Sequence, residues 1–158
     1  MGWEKRPAGT HGHQHIARPP LNILLVEDNP ADAYLTKLAL EDHALCKEIR
    51  VVEHGEHALA FLRHEGVYAG AFRPDLILLD LNLPRMDGLT VLSVVKADPA
   101  FRTIPVMILS TSNAEKDLTQ AHLLGAEYYF VKPNDLHECL IFGHTLARVW
   151  QQLMTTNT

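Results

Sequence analysis

Five short strand-like segments, four of them apolar runs and each followed by a stretch of helical periodicity, constrain the fold of this chain more than any other feature. They are "LNILLV" from Leu21, "EIRVVE" from Glu48, "DLILLD" from Asp75, "PVMIL" from Pro105 and "AEYYFV" from Ala126. Runs without polar alternation mark strands covered on both faces. Strands that alternate with helices build a parallel sheet, because right-handed crossovers lay the helices on both of its faces. The pattern therefore predicts an α/β fold, a doubly wound five-stranded parallel sheet of order 2-1-3-4-5.

Local signals agree. Asn29 is placed as the N-cap of the first helix, with Pro30 at its first position, and the helix is expected to reach about His43. The second helix follows Gly55 and turns Ala58, Leu59, Phe61 and Leu62 inward. "RHEGVYAGAFRPD", Arg63 to Asp75, is long for a helix-to-strand connection and reads as an extended helix or an inserted embellishment.

A chain of 158 residues holds one domain and no effector domain of normal size. Residues 1–20, rich in Gly, Pro and His and without an apolar period, are expected to be a disordered tail, 21–153 the domain and 154–158 a C-terminal tail. His11, His13 and His15 alternate in that tail, a pattern more often incidental than metal-binding. With 47% hydrophobic and 21% charged residues the composition is that of a globular protein, and a formal charge of -5 argues against a nucleic-acid partner. No apolar run is long enough for a membrane span, and no secretion signal opens the chain, so a cytoplasmic location is expected. Cys46 and Cys139 lack metal-ligand spacing and read as buried free thiols in a reducing compartment.

Ligands of such a sheet sit beyond the carboxyl ends of its strands, where the winding reverses. There the first strand ends in Glu27 and Asp28, the third in Asp80, the fourth in Ser110 and the fifth in Lys132. Neighbouring strands lie about 4.8 Å apart, so these side chains can share one small volume. A lone Asp after a strand is commonly a turn-former, but coincidence over four strands is not explained that way. Three crowded carboxylates repel each other unless a cation compensates, and an all-oxygen set with room for waters and a phosphate describes Mg²⁺ rather than Zn²⁺. Lys132 and Ser110 add a point charge and a hydroxyl donor suited to a phosphoryl group, with Asp80 as a nucleophile beside the metal.

At "VEDNP", "LLDLNLPRMDG", "PVMILST" and "FVKP", which occur in order, the chain resembles the receiver domain of two-component response regulators, with its flavodoxin/CheY-like fold. The resemblance covers Leu21 to about Leu153. It implies that Asp80 is the phosphoacceptor and that Asp28, Asp80 and the main-chain carbonyl of Asn82 ligate Mg²⁺, with Glu27 acting mostly through water. It further implies that Lys132 pairs with the phosphoryl oxygens, that Ser110 moves to hydrogen-bond one of them, and that Tyr129 is the aromatic switch. Signalling would pass through the face formed by the fourth helix, fifth strand and fifth helix, the partner would be a sensor histidine kinase, and the Lys132-Pro133 peptide would be cis. Thr111 departs from the smaller residue many receivers carry at the pocket mouth, where its bulk would slow entry of a phosphodonor. The "LSTS" stretch, the insertion and the long last helix look most like single-domain regulators that pair with phytochrome-type histidine kinases.

Two other functions compete. A Mg²⁺-dependent phosphatase with an aspartyl-phosphate intermediate needs a second Asp two positions after the nucleophile, and Asn82 stands there. A flavin-phosphate module needs a Gly/Ser/Thr-rich loop after the first strand, where "EDNPAD" is acidic. In the last helix, Leu136, Cys139, Leu140, Gly143, Ala147 and Trp150 are assigned to the sheet. Phe142, Leu146, Val149 and Leu153 form a second stripe, expected to be exposed and to make a homodimer.

Overall fold

Leu76–Leu79, the central strand, is buried along its whole length, and its residues alternate between two core layers. Ile77 and Leu79 join Leu24, Val26, Val106 and Ile108 on one face, while Leu76 and Leu78 join Ile23, Leu25, Met107 and Leu109 on the other. The inner strands of a sheet sandwiched in this way have no solvent face, which is why they carry nearly unbroken apolar runs.

The computed structural model describes residues 16–42, 44–111 and 113–156. The strands are β1 Leu21–Val26, β2 Cys46–Val52, β3 Leu76–Leu79, β4 Val106–Ser110 and β5 Tyr128–Val131. The α-helices are α1 Pro30–Asp42, α2 Gly55–Leu62, α3 Gly88–Ala97, α4 Glu115–Leu124 and α5 Leu136–Thr156. All strand pairs are parallel, in the order β2-β1-β3-β4-β5. This is the architecture the sequence predicts; the strand ends differ by one to two residues, chiefly because β2 begins at Cys46 and β5 at Tyr128. Edge strand β2 exposes Lys47, Glu48 and Arg50, charges that discourage pairing with another chain.

The Arg63–Asp75 connection folds back as a single 3-10 turn, Gly66–Tyr68, followed by extended chain. Tyr68, Ala71 and Phe72 pack against the core, with the Phe61 ring 5.5 Å from Tyr68 and 5.2 Å from Phe72, edge to face. The Arg50 guanidinium lies 5.1 Å from the Tyr68 ring centre, and Arg73 Nη1 donates to the Ala100 carbonyl at 2.8 Å. The insertion is thus an aromatic cover for α2 and β2.

Five expectations are corrected. Part of the expected N-terminal tail belongs to the fold: Ile16 and Ala17 pack on the α1/α5 layer, and the buried Trp150 indole donates to the Ala17 carbonyl at 2.8 Å. Residues 1–15, with the three tail histidines, lie outside the described residues. At the other end α5 continues through Thr156, past the expected boundary at Leu153. Cys139 is buried and Cys46 only half-buried. The Lys132-Pro133 peptide is trans, the isomer that X-Pro bonds favour by about 0.5–1 kcal/mol, and the cis bond among the described residues is Pro19-Pro20.

The fifth correction concerns the buried face of α5. Phe142, Leu146 and Val149 are 5%, 0% and 7% exposed, so the stripe expected to face solvent is core, while Leu136 and Leu140, assigned to the sheet, are 63% and 40% exposed. Cys139, Phe142, Gly143, Leu146, Val149 and Trp150 follow one i, i+3, i+4, i+7 arc, which α5 buries against the sheet and α1 together. Phe142 meets Phe130 of β5 edge to face at 5.1 Å. The exposed-stripe argument for self-association therefore falls. Leu146→Ala should destabilise the fold by about 2–5 kcal/mol in urea unfolding, the range for deleting a buried Leu side chain. A loss well under 1 kcal/mol would return this stripe to the surface.

Candidate functional site

The register of the sheet brings the acidic residues together. Val26 pairs with Leu79, so Glu27 and Asp28 emerge beside Asp80; Leu79 pairs with Ile108 and Ser110 with Val131, which brings Ser110 and Lys132 to the same edge. Each site backbone continues the ladder: Glu27 N donates to Val52 O at 2.9 Å, Asp80 N to Val26 O at 3.1 Å, and Lys132 N to Ser110 O at 3.0 Å. The functional side chains therefore hang from strand ends whose backbones are fixed by hydrogen bonds.

Glu27, Asp80, Ser110 and Lys132 are the buried polar residues of that edge, at 1%, 3%, 0% and 7% exposure. Lys132 Nζ lies 2.7 Å from Glu27 Oε1, 2.8 Å from Asp80 Oδ2 and 3.0 Å from Asp32 Oδ2. Asp80 Oδ1 accepts from Asn82 N at 3.0 Å, and Glu27 Oε2 accepts from Asn29 N at 3.1 Å. Asn82 Nδ2 donates to Ser110 Oγ at 3.2 Å and reaches Thr111 Oγ1 at 3.5 Å, which links the buried Ser110 hydroxyl to the exposed Thr111 at the mouth of the site.

One ammonium serves four carboxylates here, counting Asp28. Burial pushes the Glu27 carboxyl up to about 7, partly offset by its bonds to Lys132 and Asn29, with Asp80 adding repulsion. Burial alone would lower the Lys132 pKa, but the hydrogen bonds its ammonium donates to Asp80, Glu27 and Asp32 outweigh that and raise it, so the lysine stays charged. The excess negative charge fits a divalent cation. Glu27, Asp28 and Asp80 offer oxygens that all lie within 4.8 Å of one another, the all-oxygen donor set such an ion takes.

The structure thus gathers Glu27, Asp28, Asp80, Asn82, Ser110, Thr111 and Lys132, as expected. Tyr129 is buried in the core layer shared with α2 and α3. Asp32 was missed. Its signal was present: the Asn29 side chain caps α1, accepting from Ala31 N and Asp32 N at 2.9 and 3.1 Å. That puts Asp32 at the third helical position, where side chains tilt back toward the helix start and the strand end it follows.

These features are those of a known family. The model for the response regulator receiver domain matches residues 23–141. The chain belongs to the response regulator receiver family. Among curated relatives, the receiver is 37% identical to response regulator Rcp1 of Synechocystis sp. over 139 residues, 88% of this chain and 95% of Rcp1. It superposes on the phosphorylated cyanobacterial phytochrome response regulator RcpA with a TM-score of 0.77 at 42% identity, covering 84% of this chain and 95% of that one. The Mn²⁺-bound form of Rcp1 gives 0.76 at 37% identity, covering 83% and 94%. Membership implies a sensor histidine kinase as partner. No helix among the described residues is long and apolar enough to cross a membrane.

One glycine lets the start of α3 approach the backbone of Asp80 in this receiver. A Cβ on Gly88, at the start of α3, would fall 2.3 Å from Asp80 O and 2.5 Å from Leu81 Cα, both main-chain atoms that cannot rotate away. Gly88→Ala should therefore cost about 1–3 kcal/mol in denaturant unfolding, the usual penalty of overpacking, and should weaken divalent-cation binding by displacing Asp80. Unchanged stability and cation affinity would mean that the loop yields without moving the acid.

Proposed function

We propose that this receiver accepts a phosphoryl group on Asp80 from a phytochrome-type histidine kinase, in a Mg²⁺-dependent reaction in the cytoplasm. The observation that carries the reading is Asp80 itself: a 3% exposed carboxylate with one oxygen on Lys132 Nζ, the other on Asn82 N, and two further acids beside it. The kinase class is supported by the likeness to Rcp1 and to the phytochrome response regulator RcpA.

In the transfer, an Asp80 oxygen bonds to phosphorus as the bond from phosphorus to the kinase histidine nitrogen breaks, and the electron pair leaves with that nitrogen. Asp28, Asp80 and the Asn82 carbonyl would hold Mg²⁺, with Glu27 contributing mostly through water, and the bound ion would supply positive charge to offset the carboxylates and the arriving phosphoryl oxygens. Lys132 turns from carboxylate to phosphoryl oxygens. Ser110 Oγ leaves Asn82 Nδ2 to donate to one of them, under Thr111 at the mouth, and Tyr129 follows the space this opens. The output is a change in the α4-β5-α5 face, where Val131, Leu136, Leu140 and Ile141 are exposed apolar side chains suited to a protein partner. The phosphatase reading lacks its general acid, since the residue two positions after Asp80 is Asn82, whose amide cannot deliver a proton.

Incubation with Mg²⁺ and acetyl phosphate should add one phosphoryl mass to the wild type and none to Asp80→Asn; equal incorporation in the two proteins would overturn the assignment. Added Mg²⁺ should also raise the unfolding temperature, since a ligand at a hundred times its Kd stabilises by about 2.7 kcal/mol. Asp28→Ala should lose most of that rise, and an equal rise in the variant would remove Asp28 from the metal site.

A further inference from the structure

We infer that Asp32 is a positioning residue that competes with the incoming phosphoryl group for the Lys132 ammonium and so sets how readily the site takes an anionic donor. The inference rests on the phosphoacceptor reading above. An ammonium carries three N–H groups. Three carboxylates, from Glu27, Asp80 and Asp32, stand within 3.0 Å of this one. A phosphoryl oxygen can gain an N–H from Lys132 only when one of them gives it up.

The three are not equivalent. The Glu27 and Asp80 side chains are 1% and 3% exposed, whereas the Asp32 side chain is 30% exposed. A carboxylate with access to water is released at the lowest cost, because hydration replaces the bond it loses. Glu27 has no such recourse: its Oε1 has no partner beyond that ion pair among the described residues. Asp32 is also on α1, a different element from the strand ends that carry the others, so its withdrawal need not disturb the sheet. In the resting site it holds Lys132 and adds one negative charge at the open side. On transfer from acetyl phosphate, an Asp80 oxygen bonds to phosphorus, the bond from phosphorus to the acetate oxygen breaks, and acetate leaves with that electron pair. Lys132 then exchanges Asp32 for a phosphoryl oxygen.

The test uses wild type, Asp32→Asn and Asp32→Glu with Mg²⁺. Phosphorylation by acetyl phosphate, a dianion, and by phosphoramidate, a monoanion at neutral pH, is followed by intact mass, and beryllofluoride affinity by fluorine NMR. Coulomb's law for charges about 7 Å apart in water predicts that Asp32→Asn reacts about sevenfold faster with the dianion and about threefold faster with the monoanion. Beryllofluoride should bind severalfold tighter, and Asp32→Glu, which restores the charge, should stay closer to wild type than to Asp32→Asn. Asp32→Ser provides the same comparison if the Asn variant folds poorly. A neutral variant that is no faster, or that changes equally with both donors, overturns the role of Asp32 while phosphorylated wild type leaves the phosphoacceptor reading standing. A wild type that takes phosphate from neither donor overturns both.

Discussion

The Lys132 ammonium is the contact on which the site depends. It joins β5 to the ends of β1 and β3 and to the first turn of α1, bonding at 2.7, 2.8 and 3.0 Å to acids from three separate elements. Breaking a buried ion pair from one side typically costs about 3–5 kcal/mol, because the partner left behind is a stranded charge. Here two buried acids would be stranded together. The same arithmetic explains why the site remains short of positive charge: one lysine cannot neutralise Glu27, Asp28, Asp32 and Asp80, and that deficit favours a divalent cation.

The rest of the fold holds these acids at their spacing. The parallel register aligns the strand ends, and the ladder bonds of Glu27, Asp80 and Lys132 extend it by one rung. On the far side the loop from Asn82 to Asp87 has to return the chain to α3 within a few residues. It does so through Arg85 at φ 65, a left-handed conformation uncommon for a side-chain-bearing residue, and through Gly88, whose N–H bonds Leu81 O at 3.0 Å. Asp87 then caps α3 by accepting from Thr90 N at 2.8 Å. Each of these residues answers a steric demand that follows from placing Asp80 at the end of a central strand.

Much of this was legible in the sequence because the signals were local. Unbroken apolar runs marked the strands, Asn29-Pro30 marked the start of α1, and acids at strand ends marked the site. What escaped was long-range. Asp32 sits 100 positions from Lys132: the Asn29 cap places it in the first turn of α1, near the strand end, but the partner that reaches it comes from the far end of the chain. Periodicity correctly showed that α5 is apolar over a wide arc, but seeing that one continuous arc is buried required knowing that α1 packs beside it. The Trp150 bond to Ala17 spans 133 positions and turned chain read as tail into part of the fold. The insertion hid its role for the same reason: Tyr68 and Phe72 look like loop aromatics until Phe61 and Arg50 are placed next to them.

β5 shows how a short segment can serve both the site and a surface. Within it Tyr129 enters the layer shared with α2 and α3, Phe130 enters the layer shared with α1 and α5, and Val131 is 55% exposed. Lys132 follows at once in the acidic site. A charge exchange at the lysine therefore acts on a strand whose next three residues back touch, in turn, solvent and both cores. Packed cores resist continuous deformation, so a shift of that strand is taken up as a change in side-chain packing rather than being spread thinly over the sheet. A switch requires different contacts in its two states. On the proposed reading those contacts are supplied by Lys132 and Ser110 at one end of β5 and by the exposed apolar residues of β5 and α5 at the other, with the rings of Tyr129 and Phe130 as the mechanical link.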